Sequence, residues 1–80
     1  MEIKNELEAH AAIEEWRGLK PAVQLRNLRL ALEGLELSQM YYQQKGSARG
    51  VERTAACLQI ILARQAELSA LSGNVLTSPA

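Results

Sequence analysis

The sequence predicts an all-α protein, a long antiparallel helical hairpin that follows a shorter N-terminal helix and dimerises into a helical bundle. Three observations support this fold class. Two rows of apolar residues at helical spacing run through residues 21–45, one broad apolar stripe runs through residues 48–71, and a glycine-containing connection of a few residues joins them. A chain of 80 residues forms one domain that buries only about 60% of its unfolded surface, so self-association is expected to add stability.

The first helix is expected at about residues 2–17. Its apolar residues divide between two sides of the helix, with Ile3, Leu7 and Ala11 on one side and Ala9, Ile13 and Trp16 on the other. Residues 18–20 then form a short linker, because Gly18 favours the end of a helix and Pro21 suits the first turn of the next one. The split pattern makes the first helix only weakly amphipathic.

The second helix, at residues 21–45, carries two apolar rows that point to different sides. One row consists of Leu25, Leu28, Leu32 and Leu35, and the other of Val23, Leu30, Leu37 and Tyr41. Small or polar residues separate the rows, and Gly34 among them would let a neighbouring helix approach closely. The alternative is that Gly34 is merely tolerated, at a cost of about 1 kcal/mol relative to alanine. A helix with two apolar rows requires two apolar neighbours.

The third helix is expected at residues 48–71, with Gly46 ending the helix before it and Ser47 as its N-cap. The short connection forces the second and third helices into an antiparallel hairpin. The predicted buried stripe consists of Val51, Ala55, Leu58 and Leu62, with Ile61 and Leu68 beside it. Residues 1–73 are therefore predicted to form a single helical domain, and residues 74–80, which lack apolar periodicity, a flexible tail.

The third helix can cover only one apolar row of the second helix. The other row is left to the first helix, to a second copy of the chain or to a helix of a foreign partner. Because the first helix has a split apolar pattern, we expect a homodimer. The predicted self-association or partner interface consists of Val23, Leu30, Gly34, Leu37 and Tyr41.

Charge and composition narrow the function classes. Nine basic and nine acidic residues give a formal net charge of zero, which disfavours binding to nucleic acids and to anionic membranes. Residues 1–15 contain five acidic residues and one basic residue, whereas residues 16–53 contain seven basic and three acidic residues. The acidic helix could shield a basic binding face, or these charges could simply be solvated. No apolar stretch approaches the roughly 18 residues that a membrane-spanning helix needs.

The residues that usually carry chemistry are isolated in this sequence. His10 has no partner, the adjacent Glu14 and Glu15 point about 100° apart, and Cys57 lies among apolar residues that would raise the pKa of its thiol. We therefore expect no catalytic, metal or cofactor site, and we interpret Cys57 as a packing residue. A single cysteine and the absence of a signal peptide favour the cytoplasm.

The function that this pattern favours is a small non-enzymatic protein-protein interaction module, an adaptor, chaperone-like factor or inhibitor that docks on a protein partner by helix-helix contact. Further candidates for partner contacts are Trp16, Tyr42, Lys45, Arg49 and Arg53. Trp16 could instead staple the first helix to the hairpin, and Tyr42 could cap its core. The alternative function is a small dimeric DNA-binding regulator that uses the basic hairpin tip, although two long antiparallel helices do not form a helix-turn-helix.

Overall fold

The computed structural model describes the backbone of residues 2–77 and the side chains of residues 2–71. This part of the chain forms three helices and no strand: α1 (Glu6–Trp16), α2 (Pro21–Lys45) and α3 (Ala48–Thr77). Helices α2 and α3 pack along each other as a hairpin, and α1 packs chiefly against α3. The predicted fold class, a helical hairpin after a shorter N-terminal helix, is confirmed. In the described residues, no helix is both long enough and apolar enough to cross a membrane.

Helix α1 begins at Glu6, four residues later than predicted. The side chain of Asn5 accepts a hydrogen bond from the Glu8 N–H at 2.8 Å, and the Glu8 carboxylate accepts one from the Lys4 N–H at 2.7 Å. Asparagine is among the best N-cap residues because its short side chain satisfies an N–H of the first turn. Residues 2–5 consequently precede the helix, and Ile3 is buried near Ala12 and Trp16.

The turn between α2 and α3 has the predicted caps. Gly46 adopts a left-handed conformation with φ of 73°, and its N–H donates to the Gln43 carbonyl at 3.2 Å. The Ser47 N–H donates to the Tyr42 carbonyl at 2.9 Å, while the Ser47 hydroxyl accepts from the Gly50 N–H at 3.1 Å. These bonds satisfy polar groups at both helix ends, so only two residues, Gly46 and Ser47, separate α2 from α3.

Helix α3 extends to Thr77, whereas the sequence predicted a helix end at residue 71 and a tail at 74–80. The prediction is therefore wrong for residues 74–77, and residues 78–80 lie outside the described residues. Gly73 does not end the helix, because Gly46 is the one glycine with positive φ in the described part of the chain. A glycine that keeps the helical backbone costs only about 1 kcal/mol.

The core lies where all three helices meet. Leu28 and Leu35 of α2 are buried there with Cys57 and Ile61 of α3, and the remaining buried apolar side chains are Ile3, Ala9, Ala12, Ile13 and Leu68. The predicted stripe on α3 is wrong at Leu62, which is 45% exposed, whereas the adjacent Ile61 is fully buried. Since α3 contacts both α1 and α2, its buried arc is rotated by about one residue, or roughly 100°, from the predicted stripe.

Candidate interaction surface

The second apolar row of α2 faces away from α3. We define the outer face of α2 as Val23, Leu30, Gly34, Leu37, Met40 and Tyr41. The exposed fractions of its large side chains are 38% for Val23, 58% for Leu30, 67% for Leu37, 54% for Met40 and 54% for Tyr41. In contrast, Leu28 and Leu35 of the first row are buried, and Leu25 and Leu32 are half-buried against the core. One row is thus covered by α3, and the described residues leave the other largely exposed.

Helix α1 does not cover the outer face. Its buried side chains are Ala9, Ala12 and Ile13, and the helix packs chiefly against α3, whose Cys57 and Ile61 are fully buried. The two alanines present little volume, which lets the helix axes lie close together. Of the three occupants considered for the second row, the first helix is therefore eliminated.

A groove borders the outer face beside its N-terminal half. Its walls are Ile3 and Trp16 on one side and Asn27, Leu30 and Ala31 of α2 on the other, and it encloses about 230 Å³. Trp16 is half-buried and packs against the core. Trp16 thus packs on the hairpin as a staple, and it also lines a groove that is continuous with Leu30.

Gly34 makes no close contact with another helix in the part of the chain that the structure describes. It is exposed, and no described atom lies within 4 Å of the position that a Cβ would take. The close approach predicted at Gly34 concerns a helix of another copy or of a partner, and it stays a prediction. Gly34 leaves a dent in the outer face between Leu30 and Leu37.

The two tyrosines at the hairpin tip have different environments. The Tyr42 ring lies against Gly50, where an added Cβ would overlap it, so Tyr42 packs within the hairpin. Tyr41 is exposed, and its ring meets that of Tyr42 edge to face with 5.5 Å between the centroids. The Lys45 Nζ lies 5.4 Å from the Tyr41 ring centroid, within the range of a cation–π contact.

Lys45, Arg49 and Arg53 are all exposed near the tip. The described side chains form two ion pairs, Glu14–Arg17 and Glu67–Arg64, and neither includes a tip residue. The tip is therefore a basic, solvated surface next to the exposed Tyr41.

A buried polar contact that sequence reasoning missed fastens the linker to the hairpin. The Gln24 Nε2 donates to the carbonyls of Leu19 at 2.7 Å and Arg17 at 3.3 Å, while its Oε1 accepts from the Arg64 Nη2 at 3.1 Å. The Arg64 Nη1 also pairs with Glu67 at 3.1 Å. Spacing could have revealed both residues, because Gln24 precedes the buried Leu28 by four positions and Arg64 follows the buried Ile61 by three.

Three titratable groups of the described residues have shifted pKa values, Glu14, Arg17 and Cys57. Hydrogen bonds from Arg17, and secondarily its charge, lower the pKa of the exposed Glu14, and the same bonds raise the pKa of Arg17. Burial, followed by the charge of Glu6, raises the pKa of the Cys57 thiol. The thiol is fully buried, and its raised pKa makes it a poor nucleophile near neutral pH, as the sequence predicted.

The described surface therefore combines an apolar face on α2 with aromatic and basic side chains at the hairpin tip. These groups suit non-covalent contacts with another molecule. Among the described residues, no three His, Cys, Asp or Glu side chains group closely enough to hold a metal ion. Comparison of the chain with protein-family models, with curated proteins and with solved structures finds no match.

Proposed function

We propose that this chain is a non-enzymatic protein-protein interaction module, an adaptor, chaperone-like factor or inhibitor that works by docking a helix on the outer face of α2. The observation that carries this proposal is the exposure of the face's large apolar side chains from Val23 to Tyr41. These residues extend over about 27 Å of helix. Contiguous apolar patches of this kind mark interaction sites, because their burial removes apolar area from water at about 25 cal/mol per Å².

The docking mode follows from the shape of the face. A partner helix that lies along α2 would place apolar side chains at intervals of three and four residues against Leu30 and Leu37. The groove between Trp16 and Asn27 has room for one further side chain of the partner. The Tyr41 ring contacts the partner while its hydroxyl stays in water at the edge of the interface. The contact is mainly apolar, so we expect binding to depend only weakly on salt.

We also propose a cytoplasmic location, which suits a chain whose single cysteine forms no internal disulfide. DNA binding is not part of the proposal. A net charge of zero supplies no general attraction to phosphates, and α2 and α3 form an antiparallel hairpin.

Site-directed photo-crosslinking in the native cells tests the proposal. A photoreactive phenylalanine analogue replaces Leu37 on the outer face, or Arg29, an exposed residue of the same helix that lies off this face. We expect a discrete protein adduct from position 37, little from position 29, and loss of the adduct when Leu30→Glu is added. Equal labelling from both positions, or no adduct from position 37, would refute the proposal.

A further inference from the structure

We infer that the occupant of the outer face is a second copy of this chain, packed antiparallel about a two-fold axis that crosses the outer face level with residue 32 along the helix. The inference rests on the proposed function, because it takes the outer face of α2 as the interface and names its partner. In a two-fold dimer, residue i of one copy contacts residue j of the other, and residue j contacts residue i. The face must therefore be complementary to its own reverse.

The spacing on α2 meets this requirement. Positions 23, 27, 30, 34, 37 and 41 alternate steps of four and three residues, which is the spacing of a helix-helix seam. With the axis level with residue 32, Val23 of one copy lies opposite Tyr41 of the second copy, Asn27 opposite Leu37, and Leu30 opposite Gly34. Every layer except that of Val23 and Tyr41 sets a leucine against a smaller residue, and the dent at Gly34 receives Leu30 of the second copy.

The groove provides a second observation that points to the same register. It lies beside Asn27, between Trp16 and Leu30, and it is open within one chain. The register places Leu37 of the second copy opposite Asn27, so that this side chain enters the groove. Leu37 is also the most exposed large residue of the face, at 67%. One two-fold axis therefore accounts for both contacts, Leu37 in the groove and Leu30 against Gly34.

The area and the charge of the molecule are consistent with a reversible dimer. The exposed apolar side chains of the face amount to on the order of 400 Å² per copy. With the flanking polar atoms, two copies reach about 1,000 Å², the lower limit for a specific interface. A net charge of zero gives the copies no overall repulsion. We therefore expect a dimer that dissociates on dilution.

One residue opposes the dimer and supplies a sensitive test. Glu33 lies next to the axis, so the Glu33 carboxylates of the two copies face each other. Two neighbouring negative charges repel each other and destabilise the contact between the helices. Glu33→Gln removes the repulsion and should lower the dissociation constant about twofold, whereas no such effect is expected for Glu36→Gln, which lies off the outer face.

Cysteine crosslinking of the purified chain tests the register. The native Cys57 is buried, so each variant adds one reactive thiol to an otherwise unchanged protein. Glu33→Cys lies beside the axis and should form a disulfide dimer under mild oxidation. Val23→Cys and Tyr41→Cys each lie about 27 Å from their own equivalents, so neither should crosslink alone. A mixture of these two variants should give a disulfide heterodimer.

Several outcomes would overturn the inference. Self-crosslinking of Val23→Cys as fast as that of Glu33→Cys would indicate a parallel pair. A mass of 8.8 kDa by light scattering at every concentration, with no crosslink in any variant, would indicate a monomer. In that second case, an adduct with a different protein from position 37 in cells would still support the proposed function. Failure of the proposed function would appear separately, as the absence of any adduct specific to the outer face.

Discussion

Single residues hold this bundle together largely through their small size. Gly50 seats the Tyr42 ring at the hairpin tip, and Ala9 and Ala12 let α1 lie close to α3. Cys57 fills the remaining space in the core as a compact, weakly polar side chain. Close packing makes such positions sensitive to one added carbon atom, because a dense interior has little room to adjust.

Gly50→Ala is expected to destabilise the fold. The added Cβ overlaps the Tyr42 ring, which must move at a cost of about 1–3 kcal/mol, partly offset by the better helix propensity of alanine. Gly18→Ala is the matched control, because no described atom lies within 4 Å of its added Cβ, and a change within about 0.5 kcal/mol is expected. Urea denaturation followed by circular dichroism measures both. Equal stability of the two variants would show that Tyr42 is not held by Gly50.

The buried thiol predicts how stability depends on pH. Burial raises the pKa of Cys57 above its ordinary value of 9.0, so the folded state holds this proton more tightly than the unfolded state does. The resulting stabilisation is fully present below pH 9.0 and is lost as the pH rises through the folded pKa. The free energy of unfolding of the native chain should therefore fall more steeply above this pH than that of Cys57→Ala. Parallel pH profiles for the two proteins would contradict the assignment.

Helix ends and helix contacts have different origins in this molecule. Local residues set the ends, as Asn5 does for α1 and Gly46 does for α2. Contacts between elements depend on side chains far apart in sequence, and Gln24 is the clearest case, since it binds the linker carbonyls and Arg64 at once. This one side chain joins α2 to α3 and to the linker between α1 and α2.

Gln24→Ala should therefore loosen the junction of these elements. Arg64, whose side chain is only 13% exposed, and the Leu19 carbonyl would both lose a hydrogen-bond partner, for which we expect a loss of about 1–3 kcal/mol of stability. Gln44→Ala on the same helix is exposed and should be nearly neutral. Chemical denaturation compares the two variants, and Trp16 fluorescence reports whether α1 moves. If both variants were equally stable, the Gln24 contacts would contribute little.

At the scale of the whole molecule, the described residues form an elongated, flat body of 49 × 26 × 15 Å. Because this body is only 15 Å across in its shortest direction, the long helices keep a large exposed surface. Charge is also uneven at this scale. The charges of Glu6 in α1 and Arg53 in α3 shift the pKa of the buried Cys57 thiol in opposite directions, Glu6 upward and Arg53 downward. Whether the acidic helix shields a basic binding face stays a prediction.

Association through the outer face predicts that thermal stability depends on concentration. The melting temperature of the native chain should rise with concentration, because dimerisation stabilises only the folded state. Replacing both Leu30 and Leu37 with glutamate should abolish this dependence and leave the helical circular dichroism intact, since both residues are exposed. Arg29→Glu makes the same change in net charge off the face and should keep the dependence. Loss of helicity in the double variant would mean that the leucines belong to the core.

The sequence by itself determined the elements whose causes are local. Pro21 and Gly46 bound α2 at the predicted residues, because a missing N–H and a left-handed cap act within one turn. The two apolar rows of α2 were also readable, since helical periodicity fixes which residues share a side. The sequence therefore predicted which residues share the second apolar row. It left open whether the first helix covers this row or leaves it exposed to a second copy or a foreign helix.

Only the tertiary structure decided which surfaces meet. The docking of α1 on α3 rotated the buried arc from Leu62 to Ile61, left Leu30 and Leu37 exposed, and brought Ile3 and Trp16 beside Asn27 to form the groove. The pairing of Gln24 with Arg64 likewise joins residues 40 positions apart. Periodicity describes one helix at a time, whereas these contacts depend on how the volumes and polar groups of three helices fit together.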